Sequence, residues 1–255
     1  MPVEVVGPGE QPAVDHLAAL RVEGRRLVRA VGSVDLDAPV PGLTWDVRTV
    51  AVHTGSVHRW AADVVRRRLS TNETGGSRAF TPAALDDADL AGWLGEGLDD
   101  LVATLEAAPA DLACFTFVDG VAPRTFWCRR QAHETAVHRA DVQAAGRGGV
   151  TPFDAAFAQD GLAELVGAFA REQAFAVEQP GTLLLRADDG PSWRVRFGDG
   201  PNRVESGRAL ADSDADAVVS GPGSALYLWA WNRPAAVEVR GSAEVVASWR
   251  SVRVS

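Results

Sequence analysis

The sequence predicts an α+β protein: an N-terminal bundle of long helices followed by a smaller C-terminal α/β domain. Three observations carry this expectation. Apolar residues recur at helical spacing through the first two thirds of the chain. Strand patterns bounded by turn residues begin only near its last third. Helices first and strands later mark separate domains rather than an alternating β/α fold. We therefore expect domains at 1–175 and 176–255.

The first helix is expected over 14–31, with Leu17, Leu20, Leu27 and Val31 at helical spacing and Gly32 and DLDAPVPG to end it. Thr44-Trp45-Asp46 opens a second, with Thr44 or Asp46 as N-cap, running through His53 and Trp60 to about Leu69. The polar loop STNETGGS follows. A third helix is expected over 82–107, with Leu90, Trp93, Leu94, Leu98, Leu101 and Leu105 as its stripe. FTFVDGVAP is a short strand or an extended connection. A fourth helix covers 125–145, and GRGGVTP ends it. A fifth, over 152–175, leads out of the bundle. GTLLLRA and SWRVRFG, separated by the turn signal DDGP, read as a β-hairpin. DAVVSG and AAVEVRG are further strands, with helices at 224–231 and 242–250.

Composition removes several function classes. The formal net charge is −9, which disfavours a nucleic-acid or anionic-membrane partner. Arg66-Arg67-Arg68 is the one dense basic run, and it falls where cations suit a helix C-terminus. Every Lys/Arg position is Arg, so lysine Schiff-base chemistry and a P-loop lysine are excluded. Two cysteines, Cys114 and Cys128, make no disulfide scaffold and read as small buried apolar residues. The opening MPVEVVGPGEQP has neither the basic nor the apolar region of a secretory signal, and no apolar run is long enough to span a membrane. A cytoplasmic protein is expected.

The stretch AHETAVHRAD, from Ala132 to Asp141, carries the chemistry. It misses the zinc-protease pattern H-E-x-x-H by one residue. On a helix, residues five apart are rotated by roughly 140°, so His133 and His138 diverge. Glu134 and His138 are four apart and converge on one point. The same spacing also suits an ordinary surface pair. A catalytic metal usually has three protein ligands and an open position, so a third must come from another helix. His16, His53 and His58 are the candidates. Two imidazoles and a carboxylate would suit Zn²⁺, and also Fe²⁺, Ni²⁺ or Mn²⁺. Asp141, three residues after His138, is placed to hydrogen-bond a ligand histidine. Trp60, Trp127, Trp229 and Trp231 read as core.

Longer stretches extend the pattern. LTWDVRTVAVHTGSVHRWAADVVRR, AHETAVHRADVQAAG and SALYLWAWNRPAAVEVRGSAEVVASWR keep the order and spacing of the mycothiol-dependent maleylpyruvate isomerase family, which the chain resembles over nearly its whole length. The resemblance implies a DinB-like four-helix bundle holding a divalent metal, usually zinc, and a C-terminal α/β domain related to sterol-carrier folds. It implies His53, Glu134 and His138 as the metal ligands. It implies Arg233, within Trp231-Asn232-Arg233, as an active-site arginine that binds substrate and serves catalysis. Thr49, Thr54, Ser56 and Ala140 depart from the family's usual residues, none of them at a ligand position. They bear on the choice of substrate.

The expected activity is metal-assisted activation of mycothiol, or another low-molecular-weight thiol, as a thiolate that attacks a small electrophile in S-transfer or isomerisation. Maleylpyruvate cis-trans isomerisation proper and a non-catalytic metal-containing small-molecule binding protein are the alternatives. The expected partners are the thiol and the electrophile alone, for a monomer or small homo-oligomer.

Overall fold

Two of the four long helices start where an aspartate takes up their unpaired amides. Asp15 accepts from the Ala18 amide (3.0 Å) and opens α1, His16–Val31. Asp46, of the two expected caps, accepts from the Thr49 amide (2.7 Å) and opens α2, Val47–Arg67. Arg68 closes α2 in the left-handed conformation (φ 52°), with Arg66 and Arg67 in the last turn. The third helix, α3, is Asp87–Ala107. It begins later than Pro82, and a separate 3₁₀ turn, Gly76–Phe80, precedes it. The fourth, α4, is Pro123–Ala145, with proline at its start. FTFVDGVAP forms no strand among its described residues; it is an irregular connection whose Phe115 carbonyl accepts from the Trp127 indole (2.9 Å).

This computed structural model describes residues 13–72, 75–118, 120–169, 180–198 and 200–251. They fall into two units, Asp15–Thr151 and a second that begins at Pro152. In the first, α1 packs on α3 and α4, and α2 packs on the same two helices. Thus α1 and α2 stand diagonally across the bundle, and the connection between them spans it. Leu20, Leu27, Val47, Val50, Leu90, Leu94, Leu98 and Leu101 fill the centre. The expected stripe of α3 is the buried one, except that Trp93 is only half-buried, beneath the Arg59 guanidinium (4.0 Å). Gly55 permits that contact: a Cβ there would stand 2.2 Å from the Trp93 ring.

The second unit opens with α5, Ala155–Glu164, which continues into a π-helical turn at Leu165–Phe169. The boundary therefore falls at Pro152, earlier than the residue 175 expected from sequence. The reason is packing: Phe157 and Phe153 stack edge-on against Tyr227, and the Phe153 amide donates to Ser224 Oγ (2.9 Å). The rest of the expected fifth helix lies outside the described residues. The hairpin forms as expected, from β1 (Gly181–Ala187) and β2 (Ser192–Gly198). They join β3 (Gly200–Gly207), β4 (Ala217–Gly221) and β5 (Glu238–Gly241) in a sheet of order β3-β2-β1-β4-β5, parallel only between β1 and β4. Helices α6 (Gly223–Ala230) and α7 (Ala243–Ser251) complete the unit. The architecture is α+β.

Candidate metal centre

Because α2 and α4 are neighbours, the middle of one faces the middle of the other. His53 Nε2 and His138 Nε2 each lie 3.2 Å from the same carboxylate oxygen, Oε1 of Glu134. One donor atom from each of the three residues fits within 4.8 Å of the others. Donors bound tetrahedrally at ~2.0–2.1 Å would stand about 3.3 Å apart, so the observed separations fit one ion of zinc-like size. The chemistry of the set, two imidazoles and one carboxylate, fits as well.

Each donor is held from behind. Asp141, whose side chain is fully buried, accepts from His138 Nδ1 (2.9 Å), leaving Nε2 aimed at Glu134. Arg130 donates to the other Glu134 oxygen, Oε2 (3.1 Å). Trp45, half-buried just before the Asp46 cap, lays its indole 4.9 Å from the His53 ring and 6.1 Å from the His138 ring. The hydrogen bond from the Val40 amide to the Trp45 carbonyl (2.9 Å) fixes this segment. The His53 side chain is 30% exposed and that of His138 8%, so the site opens on the His53 side.

Among these side chains the centre holds its charge as an ion pair. Burial works against the His138 imidazolium, but the hydrogen bonds to Asp141 and Glu134 win and lift its pKa to about 9. Burial likewise works against the Glu134 carboxylate, yet His138, His53 and Arg130 hold it well below the usual carboxylate range.

The other sequence candidates lie elsewhere. His133, five residues before His138, packs its ring against His16 on α1 (5.8 Å). His58 is fully buried and hydrogen-bonds Thr135 Oγ1 (2.9 Å) through Nε2. Burial pushes its pKa down to about 3, so it is neutral. Arg233 belongs to the second unit, half-buried, where its guanidinium donates to the Trp231 carbonyl (2.7 Å). Cys114 and Cys128 are free and only half-buried, with burial raising both thiol pKa values. Trp127, Trp229 and Trp231 are buried and Trp60 is half-buried. Thr49 lends its amide to the Asp46 cap, and Thr54 Oγ1 donates to the Val50 carbonyl (2.8 Å).

Arg130 and Trp45 are the two side chains at the centre that the sequence reading did not select. Arg130 carried a signal, since it precedes Glu134 by one helical turn on the same face. Trp45 carried none at this level, because its position depends on how the connection between α1 and α2 folds back.

Residues 17–143 match the family model described as the mycothiol maleylpyruvate isomerase N-terminal domain, and residues 156–248 match its C-terminal domain. The chain belongs to the mycothiol-dependent maleylpyruvate isomerase family. It is therefore an enzyme, of a family that works with mycothiol. The second match begins inside α5, in line with a boundary at Pro152. The fold is similar to that of the crystal structure of the mycothiol-dependent maleylpyruvate isomerase, with TM-score 0.57, 15% identity, and coverage of 89% of this chain and 93% of that one. It is similar to the structure of a histidine-to-alanine mutant of that enzyme, with TM-score 0.58, 14% identity and the same coverage. No curated protein matches significantly. Among the described residues of this family member, no helix is long and apolar enough to cross a membrane.

Proposed function

We propose that this enzyme holds a divalent metal, zinc, on His53, Glu134 and His138 and uses it to activate the thiol of mycothiol against a small electrophile. The observation that carries the reading is the convergence of Nε2, Oε1 and Nε2 at 3.2 Å, with Asp141 and Arg130 fixing two of the three donors from outside. When bound, a divalent ion with open positions favours the thiolate of a coordinated thiol, whose free pKa of about 8.5 leaves it mostly protonated at neutral pH.

The chain's own residues do the rest. Asp141 keeps the His138 proton on Nδ1, which makes Nε2 a ligand and sets the ring plane. Arg130 occupies Glu134 Oε2 and leaves Oε1 to face the histidines. The open His53 side admits thiol and electrophile. Arg233 pairs with a carboxylate of the thiol or substrate, since the guanidinium fork matches that group.

The reaction preferred is S-transfer. The thiolate sulfur forms a C–S bond to the electrophile, and the displaced electron pair leaves with the leaving group or passes into the π-system. Isomerisation follows from the same start: sulfur adds to a double bond, the resulting single bond turns, and sulfur departs with its electron pair. Transfer is favoured over isomerisation of a dicarboxylate because Arg130, the guanidinium beside Glu134, is already committed to that carboxylate.

The test is metal analysis of purified protein, followed by incubation with Zn²⁺, mycothiol and an electrophile such as a haloaromatic compound. We expect about one ion per chain and conjugate above the uncatalysed rate, both lost in His53→Ala with the fold intact. Conversion of maleylpyruvate without conjugate would assign the isomerase. Metal binding with no turnover of either would assign a binding protein, and no metal uptake would overturn the reading.

A further inference from the structure

The bundle carries a cavity open to solvent, of about 700 Å³, between the end of α1 and the loop that follows α4. Arg26, Arg29, Ser33, Gln143, Arg147 and Thr151 supply its polar lining, and no acidic side chain lines it. It lies away from the metal centre: Gln143 is nine residues beyond Glu134, which turns it roughly 180° around α4. Three guanidinium groups collect here on a chain whose net charge is −9.

The charge is not cancelled locally. Arg26 donates to Oε1 of Glu23 (2.7 Å), but Oε2 of that carboxylate accepts from the buried Arg139 (2.6 Å). Glu23 is thus shared between two arginines and balances only one. Among the described residues, neither Arg29 nor Arg147 is in an ion pair, and both are exposed. Arg26 and Arg29 are three apart on α1 and share a face.

The wall is built rather than incidental. Arg139 Nη1 donates to Gln143 Oε1 (2.9 Å) and to the Thr151 carbonyl (2.6 Å). The Thr151 amide donates to the same Gln143 oxygen (2.9 Å), and Gln143 Nε2 donates to Thr151 Oγ1 (3.3 Å). A buried cation therefore organises the far end of the loop that presents Arg147. Gly149, at φ 72°, gives the turn its left-handed residue.

We propose that this cavity binds a small polyanion: the phosphate ester or clustered carboxylates of a metabolite. Its size suits a drug-sized molecule rather than an inorganic ion. Guanidinium groups recognise both anion types through forked hydrogen bonds. The inference is independent of the reaction assigned to the metal centre.

The test is titration calorimetry at low salt with two probes, fructose 1,6-bisphosphate for phosphate and tricarballylate for carboxylates. Saturable binding of one probe is expected, and the probe that binds names the anion. Arg29→Ser with Arg147→Ser, both at exposed positions, should weaken it by more than about tenfold and leave the thermal midpoint and metal content unchanged. The same binding should survive in His53→Ala. Binding that persists in the double variant, binding lost in His53→Ala, or no binding of either probe would overturn the proposal.

Discussion

Replacing Glu23 with Gln tests how α1 and α4 are held together. In the native protein, Arg139 is 0% exposed and Glu23 6%, and their Nε–Oε2 distance is 2.6 Å. The substitution keeps the shape of the side chain but removes its charge. Arg139 retains the Gln143 and Thr151 oxygens, which are neutral dipoles, and loses the carboxylate at its Nε. Removing one partner of a buried pair costs about 3–5 kcal/mol. With a urea m-value of ~2 kcal/mol/M, the midpoint of the bundle's unfolding should fall by roughly 1.5–2.5 M. Glu23→Leu combined with Arg139→Met removes both charges, and its cost should be well below the sum of the two single costs. The assay is urea denaturation followed by circular dichroism on all four proteins. If Glu23→Gln costs less than about 1 kcal/mol, or if the double variant loses the full sum, the pair does not hold the helices as argued.

Four further outcomes are expected. His58 has a folded pKa of about 3 and an unfolded one of about 6.5, so the unfolded chain binds more protons as pH falls below 6.5. Stability should therefore be full above that pH and drop by about 2 kcal/mol at pH 5, a component that His58→Gln removes; denaturation at several pH values reads it. Asp141→Asn should weaken metal binding by about 10–100-fold without unfolding the bundle, as measured by competition with a chelator. Metal uptake at pH 7 should release about one proton, since His138 with a pKa of about 9 must lose its Nε2 proton to become a ligand; calorimetry in buffers of different ionisation heat counts it. Gly55→Ala should cost about 1–3 kcal/mol in the same urea assay, because its Cβ meets the Trp93 ring.

Much of the fold was legible because local chemistry agreed with tertiary packing. The Leu stripe of α3, the aspartate before α2 and the turn between GTLLLRA and SWRVRFG each point to the element observed. The strand Gly200–Gly207 did not announce itself: in GPNRVESG only Val204 is a large apolar residue. Its ladder to β2 is set by neighbours rather than by its own pattern. The division of the described residues at Pro152 lies earlier than the expected boundary for a related reason. The amphipathic pattern of α5 shows that it buries a face but not against which partner, and Tyr227 decides that. At the metal centre, helical geometry alone paired Glu134 with His138 and separated His133. Choosing His53 over His16 and His58 required the family resemblance, because both α1 and α2 pack on α4 and periodicity does not say which histidine faces Glu134. The structure places His53 there.

The diagonal arrangement of α1 and α2 has a consequence for how the protein matures. His53 and Glu134 are 81 residues apart in the chain, and nothing local draws them together. An unfolded or half-folded chain offers at most the weak Glu134–His138 chelate, so under the proposed function ion capture would follow closure of the whole bundle rather than nucleate it. Loading would then act as a latch on the finished structure: excess ion would raise the free energy of unfolding with the logarithm of its concentration, and a cell short of the ion would carry the same polypeptide in a more easily degraded form.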